Sequence, residues 1–337
     1  MLKIKGTVLI TGANSQLAKA LQRTAKVALD GLDTGMVKLV PLSHPQLDIT
    51  DAYSIETALI HYRPQWVINC AAYNAVDNAE QNPAQAHRVN AIGPELLAKH
   101  CLLTDTRLVH ISSDYVFGGA VNHHPIISLK PHMQTPYQET DKSAPLSIYG
   151  QSKLAGEDAV LDALGKRAMV IRTAWLYGQD GHNFVNTMLK LMQTQSDLKV
   201  IDDQFGSPTW SDALARVIWQ LIAKQGAGLF HYTGQGECSW YEFACEIQRQ
   251  AFELKYLTKM IPIAAVNALT YSIQAECQLA RRPSYSVLNS DKLRTFLMPI
   301  SGCHTIPIEW QDWRCQLNTM LRQCHSGLDQ TEQHPSL

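Results

Sequence analysis

The 337-residue sequence predicts an α/β fold: a doubly wound parallel sheet followed by a smaller C-terminal α/β domain. Three observations predict it. Short apolar runs alternate with amphipathic stretches through the first half, a glycine turn separates the first run from the first amphipathic stretch, and the regularity fades in the second half. Thr7-Val8-Leu9-Ile10 is the first strand, followed by Thr11-Gly12 and an amphipathic helix from about Gln16 to Leu29. Val37–Val40, Trp66–Asn69, Leu108–Ile111 and Met169–Arg172 are the next strands. Helices are predicted near Ala52–His61, over Pro83–Cys101 and from about Tyr149. Proline suits the start of the second of these, where its missing N–H has no partner to lose. Strands alternating with helices of this length argue for a parallel sheet covered on both faces. Further on, Asn183–Met192 and Ser211–Ala223 read as helices and Leu229–Tyr232 as a strand. Ser239-Trp240-Tyr241-Glu242 is a capping box that opens another helix. The expected boundaries are residues 1–177 plus about 199–225 for the first domain, about 178–198 plus 226–322 for the second, and a loose polar tail over 325–337.

Composition excludes several classes. A 45% hydrophobic content supports a sizeable core and rules out wholesale disorder. With 29 basic and 30 acidic side chains, no net basic field drives general nucleic-acid binding. No apolar run approaches the roughly 18 residues of a membrane span, and Met1–Lys5 leads into a strand rather than a signal peptide. The eight cysteines never form a CxxC pair, which argues for reduced thiols in a cytoplasmic protein and against a zinc ribbon.

Gly12-Ala13-Asn14-Ser15-Gln16-Leu17-Ala18 lies where a Rossmann-type fold places its phosphate-binding turn, making Gly12, Asn14, Ser15, Gln16 and Leu17 candidate cofactor residues. Ser15 and Ala18 stand at positions where a glycine-rich version has glycines, and each Cβ narrows the approach; an ordinary strand-to-helix turn is the alternative. The second strand runs into Pro41-Leu42-Ser43-His44 without a carboxylate to hold a ribose 2′-hydroxyl, so NADPH is tolerated as well as NADH. Otherwise Ser43 and His44 are plain loop residues. Tyr149 and Lys153 stand four apart, on one face of a helix. An ammonium there favours the phenolate and is expected to lower the tyrosine pKa, easing proton transfer; the same pattern also occurs on solvated helix faces. Ile111–Phe117 follows the fourth strand and brings hydroxyls to the carboxyl edge of the sheet, where open α/β folds bind ligands.

Ordered segments then carry a family resemblance: Leu47–Asp51, Val67–Asp77, Val89–Glu95, His110–Phe117, Pro136–Asp141, Tyr149–Glu157, Arg172–Gly178, Asp202–Thr209, Ser239–Phe243 and Arg281–Pro283. From about Gly6 to about Leu321 the chain resembles the extended short-chain dehydrogenase/reductases, and more narrowly the dTDP-4-dehydrorhamnose reductase family. The resemblance implies NAD(P)H-dependent reduction of the C4 keto group of dTDP-4-dehydro-6-deoxy-L-mannose to dTDP-L-rhamnose, in nucleotide-sugar and lipopolysaccharide biosynthesis. It implies that Tyr149 protonates the sugar C4 oxygen, Lys153 binds the nicotinamide ribose and tunes Tyr149, and Ser113, in place of the commoner threonine, hydrogen-bonds the carbonyl. Asp48 and Ile49 would flank the adenine, with Ala71, Ala72 and Tyr73 lining the cofactor cleft. Asn74, Val76, Trp175 and Asn183 fall to the sugar side, and Arg281 and Arg282 to the nucleotide phosphates unless they form a surface salt bridge.

The chain departs from the family at Asn74, where threonine is usual, and in a longer loop from Gly118 to Pro136 carrying His123, His124 and His132. None of those histidines has helical ligand spacing, so the loop reads as a solvated lid and no metal site is assigned. Some relatives dimerise through acidic residues and a divalent ion; those ligands are not readable in this sequence, which leaves Mg²⁺ open and the protein a monomer or a homodimer. Trp210, Trp219, Trp310 and Trp313 read as packing, Asp77, Glu80 and Asp141 as solvated or capping carboxylates, and Asp202-Asp203 as loop hydrogen-bonders. No P-loop, HExxH or GxSxG pattern is present. Two rivals remain: a reductase or epimerase of another nucleotide-sugar, and a non-catalytic regulatory subunit resembling the methionine adenosyltransferase β subunit.

Overall fold

A computed structural model describes residues 6–30, 37–119, 134–274, 279–297 and 307–332. Strands β1 (Gly6–Thr11), β2 (Val37–Leu42), β3 (Trp66–Asn69), β4 (Arg107–Ser113) and β5 (Ala168–Thr173) fall among helices α1 (Gln16–Asp30), α2 (Ala52–Tyr62), α3 (Val76–Gln81), α4 (Pro83–His87), α5 (Gly93–Leu103) and α6 (Ile148–Leu164). Then come β6 (Leu176–Tyr177), α7 (Phe184–Thr194), β7 (Leu198–Ile201), β8 (Phe205–Gly206), β9 (Thr209–Trp210), α8 (Ser211–Ala223) and β10 (Gly228–His231). The chain finishes with β11 (Cys238–Ser239), α9 (Trp240–Glu253), β12 (Ile263–Val266), α10 (Ala268–Gln274), α11 (Asp291–Leu297) and α12 (Trp313–Glu332).

Six parallel strands form the main sheet in the order β10-β5-β4-β3-β1-β2. Successive side chains point to opposite faces, so each strand feeds two apolar layers. Val8, Ile10, Ile68, Val109 and Ile171 pack into the layer that holds α1 and α8. Leu9, Val67, Leu108 and Val170 pack into the layer that holds α2, α5 and α6. This is why these strands are apolar at every position rather than at alternate ones. The first layer continues into α9 and α12 through Phe243, Ile247, Trp313 and Leu317, so the two parts share one core.

Several boundaries move. The strand at Leu229 was expected in the second domain; β10 instead joins the main sheet beside β5, because Phe230 and Leu229 enter the two apolar layers on either side of it. Conversely, β7 pairs with β12 in the smaller part rather than with the sheet. The helix expected over Pro83–Cys101 is interrupted by a π turn at Arg88–Ile92 between α4 and α5. Helix α12 runs on to Glu332, past the point near His325 where a loose tail was expected. His123, His124 and His132 lie outside the described residues. The four tryptophans are buried as packing, and among the described residues no helix is long and apolar enough to cross a membrane.

Candidate active site

The strand order reverses beside β1, which has β2 on one side and β3 on the other; in open α/β sheets this is where ligands bind. Gly12 leaves β1 with φ +62°, and a Cβ there would come within 2.9 Å of the Ala71 backbone nitrogen. Only glycine lets the turn lie this close to the loop after β3. The strand ends are locked together by polar side chains. Thr11 donates to Asn69 Oδ1 at 2.6 Å, and Asn69 Nδ2 meets His110 Nδ1 at 3.1 Å. Ser15, the residue in a glycine position, uses its hydroxyl to accept the Ala18 N–H at 3.3 Å and so caps α1.

Between the turn and the loop lies a cavity of about 460 Å³. Of the expected cofactor residues, Gly12, Asn14, Ser15, His44, Asp48, Ile49, Ala71 and Ala72 line it, together with Asn74 from the expected sugar side. The cradle that a Cβ would fill, and the N-terminal end of α1 beside it, fit the pyrophosphate of a dinucleotide. Burial works against ionisation of Asp48, but hydrogen bonds from Thr50 and the nearby His44 and Arg88 hold its carboxyl below the usual range. Gln85 and Arg88 also line the cavity and were not picked out from the sequence; only their place on the edge of the interrupted helix reveals them.

Lys153 and Tyr149 project from the first turns of α6, whose Ser147 cap accepts the Gly150 N–H at 3.2 Å. A Cβ on Gly150 would collide with the Tyr115 carbonyl, so glycine lets this end of the helix press against the turn after β4. Tyr149 meets Tyr115 edge-on at 5.5 Å, and its hydroxyl hydrogen-bonds Ser113. Ser113 caps the short 3₁₀ turn Asp114–Val116 by accepting the Tyr115 N–H at 3.2 Å. Lys153 is buried and donates to the Ile111 carbonyl at 2.6 Å. Burial lowers its pKa to about 8, partly offset by the charge of Glu157.

The expected coupling of these two side chains is corrected by the structure. Burial pushes the Tyr149 phenol up to about 12; the Ser113 hydrogen bond pulls it down, and the charge of Asp114 adds to the rise. The ammonium of Lys153 is committed to a strand carbonyl instead. A phenol kept protonated is the form that a reduction consumes.

Behind this pair stands Asn90, from the π turn. Its Oδ1 accepts the Tyr73 N–H at 2.8 Å, while its Nδ2 donates to the Tyr73 carbonyl and to Ser152 Oγ, both at 3.0 Å. One amide thereby ties the cleft wall at Tyr73 to the helix of Tyr149 and Lys153. The sequence marked Asn90 only as part of a family-like segment.

Other candidates go elsewhere. Leu17 turns its side chain into the core, and the Ser43 hydroxyl donates to Gln46 Oε1 at 2.8 Å. Asn183 was expected at the sugar; it caps α7 and donates to Gln16 Oε1 at 2.7 Å, because the start of that helix needs a side-chain acceptor. Arg282 forms a 2.7 Å salt bridge with Asp77, the surface alternative, while Arg281 is exposed. Val76 opens α3 half-buried. Trp175 holds φ +46° and stacks on Trp240 at 3.5 Å. Glu80 and Asp141 accept backbone N–H groups, and Asp202 and Asp203 bond Ser239 and Ala268, as loop carboxylates do. Among the described residues no cluster of side chains could hold a metal ion.

Comparison with known proteins agrees with this geometry. The family model of the RmlD substrate binding domain matches residues 6–325. A dTDP-4-dehydrorhamnose reductase of Aggregatibacter actinomycetemcomitans is 33% identical over 85% of this chain and 92% of its own length. A probable dTDP-4,6-dihydroxy-2-methyloxan-3-one 4-ketoreductase of Streptomyces antibioticus is 39% identical over 92% of each chain. The crystal structure of a dTDP-4-dehydrorhamnose reductase from Bacillus anthracis in complex with NADP superposes with a TM-score of 0.78 at 32% identity, covering 95% of this chain and 100% of that one. A reductase-type sheet, a dinucleotide-sized cleft and a model spanning nearly the whole length thus agree: the chain belongs to the RmlD substrate binding domain family.

Proposed function

We propose that this protein is a cytoplasmic NAD(P)H-dependent reductase that converts the C4 keto group of dTDP-4-dehydro-6-deoxy-L-mannose to the alcohol of dTDP-L-rhamnose. The observation that carries the reading is the protonated Tyr149 beside Ser113, with the buried Lys153 near Cys70, which lines the cleft together with Gly12 and Ala71. The names of the relatives support the same chemistry. When bound, the reduced nicotinamide supplies the hydride for C4. Tyr149 delivers the matching proton to the C4 oxygen, quenching the alkoxide as it forms. Lys153 spends one of its three donors on the Ile111 carbonyl and keeps the others for ribose hydroxyls. Ala71 and Ala72 line the cleft with methyl side chains only.

The test follows NADPH absorbance with the keto-sugar generated in situ. Oxidation in step with dTDP-L-rhamnose formation is expected; no oxidation by folded protein that binds NADPH sinks the assignment. Relatives named for other dTDP keto-sugars, including a dTDP-4-keto-6-deoxy-D-glucose reductase 38% identical over 70% of this chain, make that sugar the second arm. A faster rate with it transfers the assignment to that substrate. Because the Lys153 ammonium is present below its pKa and lost above it, kcat/KM is expected to fall as pH rises through about 8. A pH profile flat to pH values well above that removes Lys153 from the mechanism.

A further inference from the structure

We propose that Asp114 is a positioning residue for the reduction: its carboxylate fixes the direction of the Ser113 hydroxyl and fastens it to the C-terminal part of the chain through Ser286. This rests on the roles of Ser113 and Tyr149 given above. Asp114 is buried at the start of the 3₁₀ turn after β4. Its Oδ1 accepts the Ser113 hydroxyl at 3.0 Å, and its Oδ2 accepts the Ser286 hydroxyl at 2.6 Å. A hydroxyl has one proton and two lone pairs. The Ser113 proton goes to Asp114, and one lone pair takes the Tyr115 N–H. One lone pair remains, and the phenol of Tyr149 lies beside the serine.

With Asp114 ionised, the Ser113 hydroxyl is therefore held in one direction beside Tyr149. Once protonated, Asp114 can no longer claim the serine proton through that oxygen pair, and the hydroxyl is free to turn. Burial raises the Asp114 pKa to about 6, while hydrogen bonds from Ser286 and Ser113 restrain the rise. The titratable and charged groups around it are Tyr115 in its own turn, Tyr149 from α6, and Arg282, which bonds the Tyr115 hydroxyl from the loop ahead of α11. Both phenols are pushed up by burial and stay neutral through this range.

The experiment compares wild type, Asp114→Ala, Asp114→Asn and Ser286→Ala, each first titrated with NADPH by fluorescence quenching to establish folding and cofactor affinity. Asp114→Ala is expected to lower kcat about tenfold or more with KM and NADPH Kd changed less than about twofold. Asp114→Asn has one acceptor oxygen, as the protonated acid does, so it is expected to hold kcat at every pH near the level that wild type reaches below about pH 6, with no acid fall of its own. Ser286→Ala deprives the carboxyl of a restraining hydrogen bond and moves the fall to higher pH. An Asp114→Ala kcat equal to wild type, or an acid fall that survives in Asp114→Asn, overturns the inference while leaving the reaction intact. If Asp114→Ala does not fold, the absence of an acid fall in Asp114→Asn and its move to higher pH in Ser286→Ala decide the matter. Wild type that binds NADPH but turns over neither keto-sugar overturns the reaction itself, and this inference with it.

Discussion

Tyr149→Phe is expected to lower kcat by about two to four orders of magnitude while the NADPH Kd stays within about twofold. Phenylalanine keeps the ring that meets Tyr115 edge-on at 5.5 Å, so the turn after β4 and the start of α6 stay packed. What disappears is one O–H, and with it both the contact to Ser113 and the proton for the nascent alkoxide. Single-turnover absorbance after mixing the NADPH complex with keto-sugar separates the chemical step from binding. An unchanged burst rate would mean that a different group protonates the sugar.

Glu157→Ala is expected to destabilise the fold by about 3–5 kcal/mol, the range for stripping one partner from a buried ion pair. Arg172 and Glu157 have side chains only 4% and 1% exposed. The guanidinium reaches both carboxylate oxygens, at 2.7–3.0 Å, and also Ser143 Oγ at 3.1 Å. Its other neighbours are His231 and the ring of Phe117. His231 stays neutral and adds no second positive charge: burial, then the adjacent Arg172, pushes its pKa down to about 3. Removing the carboxylate leaves a buried cation with no anion bonded to it, Asp158 being only within range of its charge. Urea unfolding measures the loss; a variant as stable as wild type would show that the surrounding dipoles suffice. Glu157→Gln is the milder companion. Since the Glu157 charge supports the protonated form of Lys153, neutralising it should start the alkaline fall in kcat/KM at lower pH.

Local chemistry was legible in the sequence; long-range partnership was not. The strands could be read because residues such as Val67 and Ile68 are apolar on both faces, and the Tyr149–Lys153 pair because helical spacing is arithmetic. Gly12 could be read because a turn between a strand and a helix has few backbone solutions. The direction in which Lys153 points depends on the Ile111 carbonyl, and the fate of Arg282 depends on Asp77, far away along the chain. Nothing local announces either. Asn183 shows the same limit from the other side: an asparagine before a helix is ambiguous between a cap and a ligand until its neighbours are known. The strand at Gly228–His231 was recognised, but its membership of the main sheet was not, since an apolar tetrapeptide carries no record of its neighbour.

The amide of Asn90 has a mechanical consequence. Because it staples the Tyr73 segment to α6, these two walls must travel together when small molecules come and go. Ser286 fastens the C-terminal portion to the turn after β4 as well, so the register of the phenol helix and its serine draws on tethers from both parts of the chain.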